Sequence, residues 1–368
     1  FFKQKTAYEI PLRLVGSEMC IRDRAKAEWN RQRLIGASNN MKAYWKVLQD
    51  IYKKKDAREV IGSIRSRDGK ILTDDKDKAR AFNEYLNTFS EDIIENIPKF
   101  PGRSYKEFMN EPTEHSFRIK EVTEDKILQA LKRFKPKKTQ DFRGMSIFLL
   151  KKVSLDIAPV LTDIFNKAIR DNTFPDKFKD CVISPIFKKG DKQEMAKNRG
   201  ITLGDSFGKC FEKVISQDLM DYLIDNKLVY EKQFGFLRET STSHCMLSMM
   251  DVISEKLNDR KLVGCVGLDV QKAFDTVDHS ILFDKLENIG IRGGTLDFFK
   301  SYYTNRRQYS KINGVMTDDY VTIPRSVLQG TVPHGIEWQT TITFKNGFFP
   351  FRIENEWKFS ILKIMKVT

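Results

Sequence analysis

The chain is poor in the groups that build metal and disulfide sites. Its five cysteines (Cys20, Cys181, Cys210, Cys245 and Cys265) are scattered without a CxxC pair, and its four histidines (His115, His244, His279 and His334) form no HExxH. Zinc sites and disulfide frameworks need clustered or paired spacings, so neither is expected, and a reducing compartment fits best. No apolar run reaches the roughly 20 residues that cross a bilayer. The reading is therefore a soluble, intracellular protein of the nucleus or cytoplasm with no membrane partner. No repeat of solenoid period is present. Acidic residues fall short of basic ones by 64 − 50 = 14. A surplus of that size favours a polyanionic partner, because each neutralised phosphate releases condensed counterions. What is plentiful is apolar: 40% hydrophobic and 11% aromatic residues over a length of 368. That suffices for two or three cores and excludes wholesale disorder.

The two ends differ from the middle. Residues 1–24, FFKQKTAYEIPLRLVGSEMCIRDR, contain neither the apolar run nor the cleavage site of a signal peptide. They resemble translated sequencing-library adapter, and are read as an artefact or a disordered tail. After Gly330 the text becomes aromatic-rich and motif-poor, and 334–368 reads as a divergent tail.

Between the ends the periodicity predicts α+β. A basic helical stretch spans Ala25 to about Lys55, with Trp29, Met41 and Trp45 among its apolar positions. A hairpin turned at Asp68-Gly69 follows, then a helix capped by Thr73 and ended before Pro98 and Pro101-Gly102. Thr123 caps a helix that runs into the basic stretch Lys132–Lys138, and Ser154 caps one whose Val160, Leu161, Ile164, Phe165 and Ile169 face a core. Asp180 to Phe187 reads as a strand placed at an edge or kinked by Pro185. A long helix carries Phe207, Phe211, Val214, Ile215, Leu219 and Leu223, and another covers about 243–257. The strand Leu262–Leu268 comes next. Asp278 and Thr295 cap two further helices, and Asn313-Gly314 turns a hairpin within Tyr309–Val321.

The Leu262–Leu268 strand ends in Asp269, an efficient way to present a carboxylate to solvent and metal. Composition alone leaves Asp269, Asp275 and Asp278 equally readable as helix caps or surface acids. The surrounding text narrows the choice. GLDVQKAFDTVDHSILFDKL resembles a motif of LINE-type (non-LTR) retrotransposon reverse transcriptases, D-x-x-x-A-F-D-x-V-x-H after a strand. VISPIFKKGDK, NRGITL…GKCFEKVI, QFGFLRETSTSH and SYYTNRRQYSKING resemble further blocks of that family in the family's order. Leu328-Gln329-Gly330 stands where P-Q-G is expected, and DGKILTDD with the later LLKK resembles the stretch before the polymerase.

The resemblance implies a right-hand polymerase: a helical linker region at 25–110, fingers and the start of the palm at 111–260, and a partial palm at 261–333. It implies RNA template, DNA primer and deoxynucleotide triphosphates as partners, and two Mg²⁺ ions as cofactor. Asp269 would be the catalytic carboxylate and a metal ligand, with the Val270 carbonyl beside it. Lys188, Lys189 and Arg199 would meet the triphosphate, and Phe274 would sit under the incoming sugar. Gln329 and Gly330 would line the nucleotide pocket, while Arg306 and Arg307 would touch nucleic-acid backbone. The pattern also departs from the family's. No [FY]-x-D-D follows Asp269, and Asp318-Asp319 precedes Gln329-Gly330 and so stands in the wrong order to replace it. A fragment without the second carboxylate pair is the expectation; a non-catalytic nucleic-acid-binding remnant is the alternative.

Overall fold

The structure is a computed structural model, and it describes residues 25, 27–38, 40–52, 60–95, 102, 104–187, 190–263, 276–323 and 327. The chain divides into two compact units, 1–60 and 61–368.

Among the described residues the first unit holds two helical segments where one was expected. Residues 27–36 are helical, the chain turns at Ala37-Ser38, and α1 (Met41–Tyr52) follows. The break has a local cause: the Asn40 side chain accepts from the Ala43 amide at 3.1 Å, offering the backbone a new helix start. An Arg33–Asp50 pair at 2.7 Å joins the segments. Trp29, Met41 and Trp45 are exposed, whereas Ala37 and Val47 are buried.

The second unit is α+β. Ile64–Arg65 (β1) pairs antiparallel with Ile71–Leu72 (β2), with Gly69 in the turn at φ 83°. The larger sheet has the order β4 (Asn198–Gly204), β3 (Asp180–Phe187), β5 (Arg307–Ile312), β6 (Val315–Met316), and β7 (Val321–Thr322) also pairs with β5. Asn313 and Gly314, at φ 50° and 94°, supply the two positive φ values that the tight β5–β6 turn needs. Pro185 sits where its missing N–H costs nothing. β3 pairs in parallel with β5 only through 180–183, so beyond that point one side of β3 has no ladder to break.

Among the described residues two apolar clusters hold this unit. The smaller lies between α2 (Asp75–Glu95) and the sheet, through Ile64, Ala79, Phe82, Ile183, Met195 and Ile312. The larger joins α3 (Glu124–Arg133), α5 (Ser154–Arg170), α6 (Ser206–Asp225), α8 (His279–Asn288) and α9 (Gly294–Tyr303). Its centre is aromatic: Phe165 stacks on Phe211 at 4.1 Å, and Phe174 meets Tyr302 edge-on at 4.9 Å. In chain order α4 (Ile147–Lys152) falls between α3 and α5, and α7 (Thr242–Asn258) between α6 and α8.

Several helix starts differ from expectation. Thr123 and Asp278 are caps as read. Asp74, not Thr73, accepts from the Lys76 and Asp77 amides, its carboxylate being the stronger acceptor. Ser154 is the first residue of α5, with Val153 before it. Ser146 instead caps the separate short helix α4. Thr295 is buried inside α9, which starts after Gly293 at φ 57°, a conformation that suits glycine. Val160 and Ile164 are exposed on α5, and Ala158 and Ala168 join Leu161 and Phe165 in the core. A four-residue apolar spacing reads the same for either choice of face, so the period alone did not fix which side packs.

Candidate nucleotide and nucleic-acid site

The β3–β4 hairpin is the described element that carries a residue assigned to the triphosphate, Arg199. Its root is fixed by charge. The buried Asp180 carboxylate receives Arg307 Nε at 2.5 Å on one oxygen and Arg143 at 3.1 Å on the other. Arg143 also donates to the Lys177 carbonyl at 2.9 Å and stands 3.6 Å from Asp205. Asp205 in turn caps α6 by accepting from the Phe207 and Gly208 amides. Burial pushes the Asp205 carboxyl above its ordinary range, although the Gly208 amide pulls the other way. Arg143 escaped the sequence reading. Its only local signal is the Asp141-x-x-Gly144 turn, and its partners lie 37 and 62 residues away in sequence, at Asp180 and Asp205.

From that root β3 runs out of the core. Residues 180–183 are buried, Ile186 is exposed, and Phe187 pairs with Asn198. Gly200 faces Pro185 in the ladder, and a Cβ there would lie 2.7 Å from Ile183 Cγ2, so only glycine lets the strands close. The return is pinned by buried Met195 and by the Asn198 amide group on the Glu194 carbonyl at 3.1 Å. Arg199 thus lies opposite Ile186, exposed and without an ion pair among the described residues. Lys188 and Lys189 follow Phe187 directly in sequence, but lie outside the described residues.

Asp269, Val270, Phe274, Gln329 and Gly330 also lie outside them, as does the expected strand from 264 onward. Among the described residues no group of three His, Cys, Asp or Glu side chains could hold a metal ion. Asp278 is a helix cap, accepting from the Ser280 and Ile281 amides. Asp318 pairs with Lys76 at 2.5 Å in the loop between β6 and β7, and the Lys76 hydrogen bond holds its pKa down.

The expected backbone contact by Arg306 is corrected. Its side chain is buried, donates to the Tyr302 carbonyl at 2.8 Å and lies 4.5 Å from the Tyr302 ring centroid. A guanidinium that occupied cannot reach phosphate. Arg307 is half-buried and spent on Asp180.

Residues 186–345 match the family model for reverse transcriptase (RNA-dependent DNA polymerase). The chain carries a reverse transcriptase segment. Its relatives are non-LTR retrotransposon proteins. It is 26% identical over 295 residues to the "Probable RNA-directed DNA polymerase from transposon BS" of Drosophila melanogaster, covering 79% of this chain and 31% of that protein. The transposon TX1 uncharacterized 149 kDa protein of Xenopus laevis is 26% identical across 76% of this chain and 21% of its own length. The RNA-directed DNA polymerase from mobile element jockey of Drosophila funebris is 22% identical across 67% of this chain and 27% of its own. The chain therefore spans a third or less of these relatives. The reverse transcriptase segment begins inside β3 and includes the whole β3–β4 turn. Among the described residues no helix is long and apolar enough to cross a membrane.

Proposed function

We propose that the chain is part of the RNA-directed DNA polymerase of a LINE-type retrotransposon, supplying its fingers (111–260) and part of its palm (261–333) inside the nucleus or cytoplasm. Its partners are RNA template, DNA primer and deoxynucleotide triphosphates. The observation that carries the reading is the register of the hairpin. An exposed Arg199, without an ion pair among the described residues, stands opposite Ile186, two residues before Lys188-Lys189 in sequence, within the matched segment. Three cations carried by the sequence of one hairpin suit a triphosphate, where cationic donors offset charge developing in the transition state.

Asp269 and the Val270 carbonyl are the residues that would hold Mg²⁺, which takes one or two carboxylates plus substrate phosphates. When bound, paired ions stabilise the attacking and leaving oxygens of phosphoryl transfer. Phe274 excludes a 2′-hydroxyl by bulk, which selects deoxynucleotides. Gln329 and Gly330 line the pocket, glycine permitting close backbone approach.

Equilibrium binding of a fluorescent deoxynucleotide triphosphate to the full chain tests the reading. Arg199→Ala and the pair Lys188→Ala/Lys189→Ala weaken binding, each by roughly tenfold for the loss of a charge-assisted hydrogen bond. Phe274→Ala lets the ribonucleotide bind equally. Binding indifferent to all three substitutions refutes the assignment. Because no [FY]-x-D-D follows Asp269 in these 368 residues, primer extension by the isolated chain is expected to be near zero. Sustained template-dependent incorporation overturns that part.

A further inference from the structure

The basic stretch after α3 has no task in the nucleotide chemistry, yet it is built into a defined surface. At Phe134 the chain leaves α3 and runs back along α4. Lys151 Nζ donates to the Lys132 and Phe134 carbonyls at 3.0 and 2.8 Å, and the Phe148 amide donates to the Lys137 carbonyl at 3.0 Å. These bonds use the backbone of the stretch and leave its cationic heads in solvent. Lys135, Lys137 and Lys138 are exposed, and Lys138 shares the Phe148 ring with exposed Lys152 at 5.4 and 6.0 Å.

The charge continues onto α6. Arg133 donates to the Gln217 side chain, which turns its guanidinium toward half-buried Lys213. Burial, then the charges of Arg238 and Arg133, depress the Lys213 pKa, so these cations repel one another at close range. Arg238 is answered by Asp221 at 3.4 Å. Lys135, Lys137, Lys138, Lys152 and Lys213 have no carboxylate partner among the described residues, and neither has Arg133. Two acids on adjoining segments are committed elsewhere: Asp218 holds Lys126, and Asp141 receives the Ser206 amide at 2.9 Å. A rigid backbone thus holds six like charges together, and a ligand that brings regularly spaced negative charge relieves that repulsion.

We propose that Arg133, Lys135, Lys137, Lys138, Lys152 and Lys213 form a sequence-independent contact for the phosphodiester backbone of a single strand of RNA or DNA, operating without metal or nucleotide. The choice of nucleic acid over another polyanion rests on the polymerase reading. The geometry of the patch does not. Lysine ammoniums are point charges that position a backbone and read no bases.

The test is a salt titration of the full chain against a fluorescein-labelled 20-nucleotide RNA and the DNA of the same sequence, in EDTA. Lys135→Gln/Lys137→Gln/Lys138→Gln keeps the aliphatic stems and the backbone bonds, and circular dichroism checks its fold. It lowers the slope of log affinity against log salt by about 2, three contacts at ~0.7 each, for RNA and DNA alike. Lys152→Gln, on a different element, lowers it by roughly 0.7. Triple replacement by arginine keeps the wild-type slope. Unchanged slopes in both glutamine variants overturn the patch. Competition by polyglutamate as strong as by RNA overturns its assignment to nucleic acid, and a loss confined to RNA overturns a pure phosphate contact. Arg199→Ala leaves this titration unmoved, so failure here and failure of the nucleotide site are separable.

Discussion

Removing Glu212 should cost more stability than removing any exposed acid in the chain. Glu212 and Arg306 are each only 5% exposed, in the aromatic heart of the larger core. The Glu212 carboxylate accepts from the Tyr302 hydroxyl at 2.9 Å and stands 4.0 Å from an Arg306 Nη. Arg306 has one further bond, to the Tyr302 carbonyl, and its Nε has no partner among the described residues. Glu212→Ala removes the acceptor of the buried Tyr302 hydroxyl and the carboxylate facing a buried guanidinium, at about 3–5 kcal/mol. Against the roughly 5–15 kcal/mol that holds a domain, this is a large fraction. In urea unfolding followed by tryptophan-independent circular dichroism, the midpoint falls by roughly 1–2 M, for an m-value near the top of the usual range. The double variant Glu212→Leu/Arg306→Met removes both charges and recovers most of the loss, because a buried pair replaced by apolar groups is nearly neutral. Two results refute the reasoning: a Glu212→Ala cost below ~1 kcal/mol, or a double variant that loses the sum of the two single costs.

Three further outcomes follow from the same structure. Gly290→Ala introduces a Cβ 2.3 Å from both the His115 carbonyl oxygen and the Tyr222 hydroxyl, at φ 95°; thermal melting should register a loss of about 2–4 kcal/mol, and a neutral result refutes the packing. Asp205→Ala removes the cap that serves two α6 amides and one partner of Arg143, costing about 1–2 kcal/mol, with Asp205→Asn recovering part of it. Burial lowers the Lys285 pKa to about 8, so the folded chain sheds this proton before the unfolded one does. Stability from this group therefore rises with pH between about 8 and the ordinary lysine value, a trend that melting curves across that range should show in the wild type and lose in Lys285→Met.

Where local chemistry decides, the sequence was legible. Asn313-Gly314, Asp68-Gly69, Thr123 and Asp278 act within four residues of themselves, and each turn or cap stands as read. The family was legible for another reason: its blocks are short, specific and ordered, so resemblance needs no three-dimensional input. Of the residues assigned to the nucleotide, Arg199 can be followed into the fold, on a hairpin whose strand Asp180–Phe187 was read to the residue.

What failed was everything that depends on a distant partner. Arg306 and Arg307 read alike, as two adjacent surface cations. The parallel pairing of β5 with β3 sends one into the core beside Glu212 and the other onto Asp180, 127 residues away. Neighbouring side chains of a strand point to opposite faces, and the sequence does not say what covers either face. The same holds for Lys132–Lys138, which is a solvated charge run in one dimension. Its ordering against α4 and its approach to Lys213 come only from tertiary packing. Short-range hydrogen bonding and family text were thus written in the sequence, whereas the fate of each charge, buried, paired or left facing solvent, was decided by which elements the fold brought beside it.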